Sequence, residues 1–394
     1  MRVLLLAPFL PDRAATHGGG AYLSSLVTAL AKTVEVGLVS LVTPAEELRA
    51  KADGNVWHRA AFAPYLGTSP SGIRQVPHQV RMLWHWRRLP LVAAKHWNAS
   101  LPAMLAHTIQ EWQPDVAMIE LAQMSQYLPY LRGLPTVLTD HEAGCPANTR
   151  TGLGGWGDRR DRRLWDQFVR HYYPMADLVQ AVTPEDAASL RAQIGRDVVV
   201  RAPVCDVPAT PTAPKNAPPR ALFFGDYRHH PNPEAATRLV REVLPRLRAS
   251  LPTAELWLAG QHCDRIAALA ATPGVRVLGF VPDLPTLFQQ VRLLLAPVWS
   301  GGGFRMKSLV ALAHGLPVVT NALGARGCAV PAVARSIAED AAGLAAAALA
   351  WLQDADAAAI AGLAAHKWAL SNLSATAVAA AQIAQLRALK QRGR

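Results

Sequence analysis

The chain has 394 residues, 51% of them hydrophobic and 17% charged, a balance that excludes a disordered protein and leaves room for two domains with separate cores. Lys and Arg outnumber Asp and Glu to give a formal charge of +12, which points to anionic partners. The opening MRVLLLAPFLP is too short to span a bilayer and lacks a cleavage pattern, and no later run reaches about 18 apolar residues, so a cytoplasmic protein without a membrane span is expected. Cys145, Cys205, Cys263 and Cys328 stand singly, without metal-type spacing, and are expected as reduced thiols.

Along the chain, β-type runs alternate with helical stretches in the manner of parallel α/β proteins. The first half predicts strands over Arg2–Leu6, Val34–Val42, Asp115–Glu120, Thr136–Thr139, Leu178–Val182 and Val198–Val200, with helices between them such as Ala21–Ala31 and Pro184–Ile194. Between Asp53 and Glu111 there is no carboxylate, while Arg59, Arg74, Arg81, Arg87, Arg88 and Lys95 alternate with Trp57, Trp84, Trp86 and Trp97. Such a run suits either an anionic lipid-headgroup surface over residues 54–110 or an ordinary solvated helix with tryptophans packed inward. Nucleic acid is not expected as a partner, because no nucleic-acid-binding module is recognisable. DRRDRR, residues 158–163, reads as a solvated helix face with mixed ion pairs.

CDVPATPTAPKNAPPR, residues 205–220, holds five prolines in sixteen positions; it can be neither helix interior nor central strand and reads as a linker. The alternation then restarts with strands expected at Ala221–Phe224, Glu255–Ala259, Val275–Gly279, Leu293–Pro297 and Val318–Thr320, followed by an Ala-rich helical tail. The expected organisation is an N-terminal Rossmann-like domain over 1–204, a linker over 205–219, a second Rossmann-like domain over 220–370 and a C-terminal helix over 371–394. Two such α/β domains imply a cleft between them, with ligands at the carboxyl ends of the strands.

Each half has a glycine-rich stretch between a strand and a helix. The first is HGGGAYLSSL, with Gly18, Gly19 and Gly20; the second is Gly301, Gly302 and Gly303, followed by Phe304, Arg305 and Lys307. Glycines let backbone N–H groups approach a phosphate, and the following helix N-terminus favours negative charge. Two cations at a helix N-terminus oppose its dipole unless an anion lies there, so a diphosphate is the natural candidate for the second stretch, the alternative being surface cations on a plain turn. The chain has no GxxxxGK[ST] P-loop.

Residues 255–327, from ELWLAGQHCDRIAALA through GVRVLGFVPDL to SGGGFRMKSLVALAHGLPVVT and NALGARG, resemble the carboxy-terminal domain of glycosyltransferase family 4. ALFFGDYRHHPNPEAATRLVREVLPRL, residues 221–247, is similar to the first β-loop-α unit of that domain. PDVAMIELAQMSQYLPYLRGLPTVLTDHE, residues 114–142, and AVTPEDAASL, residues 181–190, are similar to bacterial polysaccharide and lipid-linked-glycan sugar transferases. The resemblance implies the GT-B fold, a nucleotide-diphosphate-sugar donor, a glycan or lipid-linked acceptor, retention of anomeric configuration, and no metal or other cofactor. It implies that Arg305 and Lys307 meet the donor diphosphate with Arg228 beside them, and that His141 hydrogen-bonds a sugar hydroxyl. It places Gly19, Gly20, Gly225, Gly301, Gly302, Gly303, Phe304 and Val310 around the donor. The only Asp-x-Asp, Asp354-Ala355-Asp356, reads as a helix-capping turn instead of a metal motif.

The sequence departs from the family pattern where two glutamates are normally found. These positions hold Gly302 and Val310. Val310 lies three residues past Lys307, on the same helix face, and cannot accept the ribose hydrogen bonds that a carboxylate would. Beside the active transferase stands a second reading, a non-catalytic GT-B protein that binds glycan or a partner subunit.

Overall fold

The computed structural model describes residues 1–12, 18–52, 56–65, 75–143, 151, 154–213, 216–300, 305–327 and 335–392. The chain divides into two compact units, one of Met1–Val204 with Ala375–Arg394, the other of Cys205–Ser374.

In the first unit seven parallel strands lie in the order β3-β2-β1-β4-β5-β6-β7. They are β1 (Arg2–Ala7), β2 (Glu35–Val42), β3 (Arg59–Pro64), β4 (Val116–Glu120), β5 (Thr136–Asp140), β6 (Leu178–Ala181) and β7 (Val198–Val200). Strand alternation splits β1 between two cores: Leu4 and Leu6 join the cluster under helices Leu101–Trp112 and Gly154–Tyr172, and Val3, Leu5 and Ala7 join the cluster under Gly18–Leu30. A strand covered on both faces reads as an unbroken apolar run, which is why RVLLLA announces itself in sequence. Each of its fully buried leucines contributes roughly 1.5–3 kcal/mol through removal from water. Helix Ala375–Arg392 adds Val378, Ala379, Ile383 and Leu386 to the second cluster, and its Lys390 pairs with Asp115 at 2.7 Å.

The second unit holds six parallel strands in the order β10-β9-β8-β11-β12-β13: β8 (Arg220–Phe224), β9 (Glu255–Ala259), β10 (Val275–Gly279), β11 (Leu293–Leu295), β12 (Val318–Thr320) and β13 (Arg335–Ile337). Both sheets therefore reverse their strand order once, between β1 and β4 and between β8 and β11. Ligands of open parallel sheets sit outside the carboxyl ends of the strands at such a reversal.

Several elements differ from the sequence expectation. The edge strands β3 and β13 were not expected, since RAAFAP is alanine-rich and RSI is three residues long. Gly18–Gly20 form the first turn of helix Gly18–Leu30 instead of a turn before it. Residues 205–213 are tied into the second unit: Cys205 N–H donates to the Leu373 carbonyl at 2.8 Å, and Thr212 N–H to that of His314 at 2.9 Å. Asp354 accepts from Ala357 N–H at 2.8 Å and caps helix Ala355–Asn372, as its motif predicts. No single helix among the described residues is long and apolar enough to cross a membrane.

Candidate functional site

At the carboxyl end of the first sheet, β4 ends in Glu120 and β5 runs into His141. Alternation turns Glu120 to the face that carries Tyr22 on helix Gly18–Leu30. There the fully buried carboxylate takes two bonds from Arg201, just beyond β7: Nη1 to Oε1 at 2.5 Å and Nη2 to Oε2 at 2.8 Å. Arg201 Nη2 also lies 3.0 Å from the Tyr22 hydroxyl. His141 Nε2 lies 3.0 Å from Glu120 Oε2, and its ring meets the Tyr22 ring edge-to-face at 5.6 Å. Burial drives the Glu120 carboxyl upward, but the charge and hydrogen bonds of Arg201, aided by His141, outweigh it and hold the group at about 2. The turn itself is fixed by Asp140, which accepts from Glu142 N–H at 2.8 Å and from the Tyr173 hydroxyl at 2.5 Å.

The sequence singles out His141 but not Glu120, Arg201 or Tyr22, which the structure brings together around it. Of the three, only Glu120 carried a signal, a lone carboxylate closing the apolar run VAMIE.

In the second unit, helix Met306–Ala313 begins directly after Arg305. Lys307 is half-buried, with Nζ 2.8 Å from Asn232 Oδ1 and 4.2 Å from the centre of the Phe223 ring on β8. Burial, and then the charge of Arg305, lower this ammonium to about 7. Arg305 is buried, and its Nε donates to the Leu323 carbonyl at 3.0 Å. The loop entering the site is pinned by Asn321, whose amide accepts from Val298 N–H at 2.9 Å and donates to the Val298 carbonyl at 2.7 Å. Beyond it, Ser300 Oγ donates to Glu234 at 3.0 Å.

Gly225 follows β8, and Asn232 crowds the space a side chain would need there: a Cβ would sit 2.7 Å from its Nδ2. Gly260, at φ +132°, passes so close that a Cβ would lie 1.9 Å from the Gly225 carbonyl oxygen. Arg228 is exposed and folds back on Asp226, with Nη2 to Oδ2 at 2.9 Å. Asn232 ties the two parts together, since its Nδ2 donates to the Asp226 carbonyl at 2.8 Å while its Oδ1 receives Lys307. The structure thus joins Lys307 to the loop after β8 through Asn232, while the Arg228 guanidinium is engaged with its own loop. Val310 is half-buried on the same helix as Lys307.

Gly20 is buried in the first turn of its helix, and Gly19 shares that turn. Gly301, Gly302, Gly303 and Phe304 lie outside the described residues, as do Cys145 and Cys328; Cys205 and Cys263 are free thiols. Among the described residues no group of three His, Cys, Asp or Glu side chains is gathered to hold a metal.

Residues 218–354, all within the second unit, match the family model described as glycosyl transferases group 1. The chain is similar in structure to sucrose-phosphate synthase from Thermosynechococcus elongatus, with a TM-score of 0.68, 17% identity and 100% of both chains covered. It is similar to Anabaena HepE in complex with UDP, with a TM-score of 0.65 and 15% identity over 98% of this chain and 100% of that one. TarM, known also from an S. aureus structure, is similar at a TM-score of 0.63 and 8% identity, covering 98% of each chain. A search of curated protein sequences finds no match. The fold is the GT-B class, with two Rossmann-like units.

Proposed function

We propose that this chain is a retaining, metal-independent glycosyltransferase that moves a sugar from a nucleotide-diphosphate donor to a hydroxyl of a glycan or lipid-linked acceptor. The observation that carries the reading is Lys307: a partly desolvated ammonium, held by a neutral amide beside Arg305 at the start of a helix, at the carboxyl end of a strand-order reversal. A cation kept out of water at such a place is stabilised when a diphosphate arrives. The family-model match over residues 218–354 and the complex of HepE with UDP support the same ligand class.

In this reading Arg305 and Lys307 neutralise the charge that grows on the diphosphate as its bond to the anomeric carbon breaks. The new bond from the acceptor oxygen forms on the face that the leaving group vacates, and the acceptor proton passes to the departing phosphate oxygen. His141 is held by Glu120 and Tyr22 and serves a donor-sugar hydroxyl. On the second unit the donor site also draws on Gly225, Arg228, Gly301, Gly302, Gly303 and Phe304. No cofactor takes part.

A second reading, a non-catalytic binder of glycan or a partner subunit, is favoured by Gly302 and Val310, which stand where the family pattern has glutamates, Val310 where a carboxylate would anchor the ribose. Release of nucleoside diphosphate from a panel of nucleotide sugars, with and without acceptor glycans and in excess EDTA, separates the two. Turnover that survives EDTA and falls on Lys307→Ala supports the transferase. Absence of turnover with every donor supports the binder.

A further inference from the structure

We propose that the first unit carries a docking surface for an anionic lipid bilayer, formed by the outer face of helix Gln75–Trp86 and the arginine run of helix Gly154–Tyr172. Along the first of these helices Val80, Leu83 and Trp84 are 62%, 54% and 66% exposed, and they recur with Arg87 at helical spacing, so the face turned to solvent is the apolar one. Trp156, at the start of the second helix, is 62% exposed. The opposite face is anchored: Met82 and Trp86 are buried, and the fully buried Asp161 accepts from Trp86 Nε1 at 2.9 Å and from Leu91 N–H at 2.7 Å. DRRDRR is therefore not a uniformly solvated face, because Asp161 points inward and fastens the two helices together.

The arginines gather where these helices meet. A cavity of about 430 Å³ is lined by Arg87, Arg159, Arg160, Arg163 and Trp156, and a second of about 930 Å³ shares Arg87 and adds Trp84, Arg88 and Arg170. The Arg87 guanidinium lies 5.2 Å from the centre of the Trp84 ring, and that of Arg160 lies 5.1 Å from Trp86. The neighbouring carboxylates are occupied: Asp158 accepts from Thr151 at 2.8 Å and Asp166 pairs with Arg170 at 3.1 Å. Among the described residues Arg87, Arg88, Arg159 and Arg163 have no carboxylate partner.

Each component matches one layer of a bilayer surface. Arginines meet phosphates, indole rings settle at the headgroup level, and Val80 and Leu83 reach the acyl boundary. A soluble polyanion would satisfy the arginines but leave the apolar stripe in water, so a bilayer is the better fit.

The test is co-sedimentation of the whole chain with phosphatidylcholine vesicles, with and without phosphatidylglycerol, at low and raised NaCl; it needs no donor or acceptor. Retention on the anionic vesicles alone is expected, weakening as salt rises. Arg159→Gln with Arg163→Gln should lower partitioning about fivefold per arginine, and Leu83→Ser with Trp84→Ser should abolish it while leaving the thermal melt intact. Absence of retention, equal retention on neutral vesicles, or variants that bind like the parent chain would overturn the proposal. So would a concentration-dependent dimer in sedimentation velocity that Leu83→Ser dissolves, because the face would then cover a second copy.

Discussion

Glu120 and Arg201, 81 residues apart in sequence, close a doubly hydrogen-bonded ion pair at the carboxyl end of the first sheet, and both side chains are buried. His141 and Tyr22 rest on that pair. Removing one partner leaves the other as an uncompensated buried charge, at a cost of about 3–5 kcal/mol. Arg201→Met and Glu120→Gln should each lower the thermal midpoint strongly, and the double variant should cost less than the sum of the two. Strict additivity in the melts would show that the pair is not coupled.

The same pair sets a pH dependence. The Glu120 carboxyl is held at about 2 in the folded chain, below its ordinary 4.5. Its stabilisation is therefore fully present above about 4.5 and is lost as pH falls through about 2. Denaturant midpoints between pH 5 and pH 2 should drop less steeply in Glu120→Gln than in the parent chain.

For Lys307 the sign is reversed. With its ammonium lowered to about 7 from 10.5, the unfolded chain binds the extra proton between these values. The ligand-free fold should thus gain stability as pH rises through that window. A bound diphosphate favours the charged form, so nucleotide binding at pH 8 should take up a proton and weaken as pH rises further. Calorimetric titration in two buffers of different ionisation enthalpy reads this directly, and Lys307→Met should abolish the difference.

Gly260 is required where its backbone passes the Gly225 carbonyl. Gly260→Ala combines a Cβ contact of 1.9 Å with an unfavourable φ and should cost roughly 2–4 kcal/mol. Urea unfolding measures that loss. Gly279→Ala, with positive φ but nothing within 4 Å of its Cβ, should cost less.

Val310→Glu should restore a carboxylate to the helix that carries Lys307. If it reaches ribose hydroxyls, nucleotide affinity should rise by about one to two powers of ten. Unchanged affinity would place the ribose elsewhere.

Much of the fold was legible because strands covered on both faces leave continuous apolar runs, as in LLLA of β1 and LWLA of β9. Strand β3 escaped notice because its alanines carry little β-preference and it lies at a sheet edge, covered on one side only by β2. Lys307 and His141 stood out through local motif. Glu120, Arg201 and Tyr22 did not, because their meeting depends on crossovers that bring β1, β4 and β7 into one sheet, and no short-range spacing records that. Asp161 was likewise hidden among arginines: its inward direction follows from Trp86 and Leu91, some seventy residues away.

The most direct measurement is calorimetric titration of the whole chain with UDP, GDP, dTDP and ADP, beside the Lys307→Ala variant. Saturable binding of one nucleoside diphosphate, weakened at least about tenfold by removing the ammonium, is the predicted result. Binding of none of them, or binding that Lys307→Ala leaves unchanged, would contradict a nucleotide-sugar site at the start of helix Met306–Ala313.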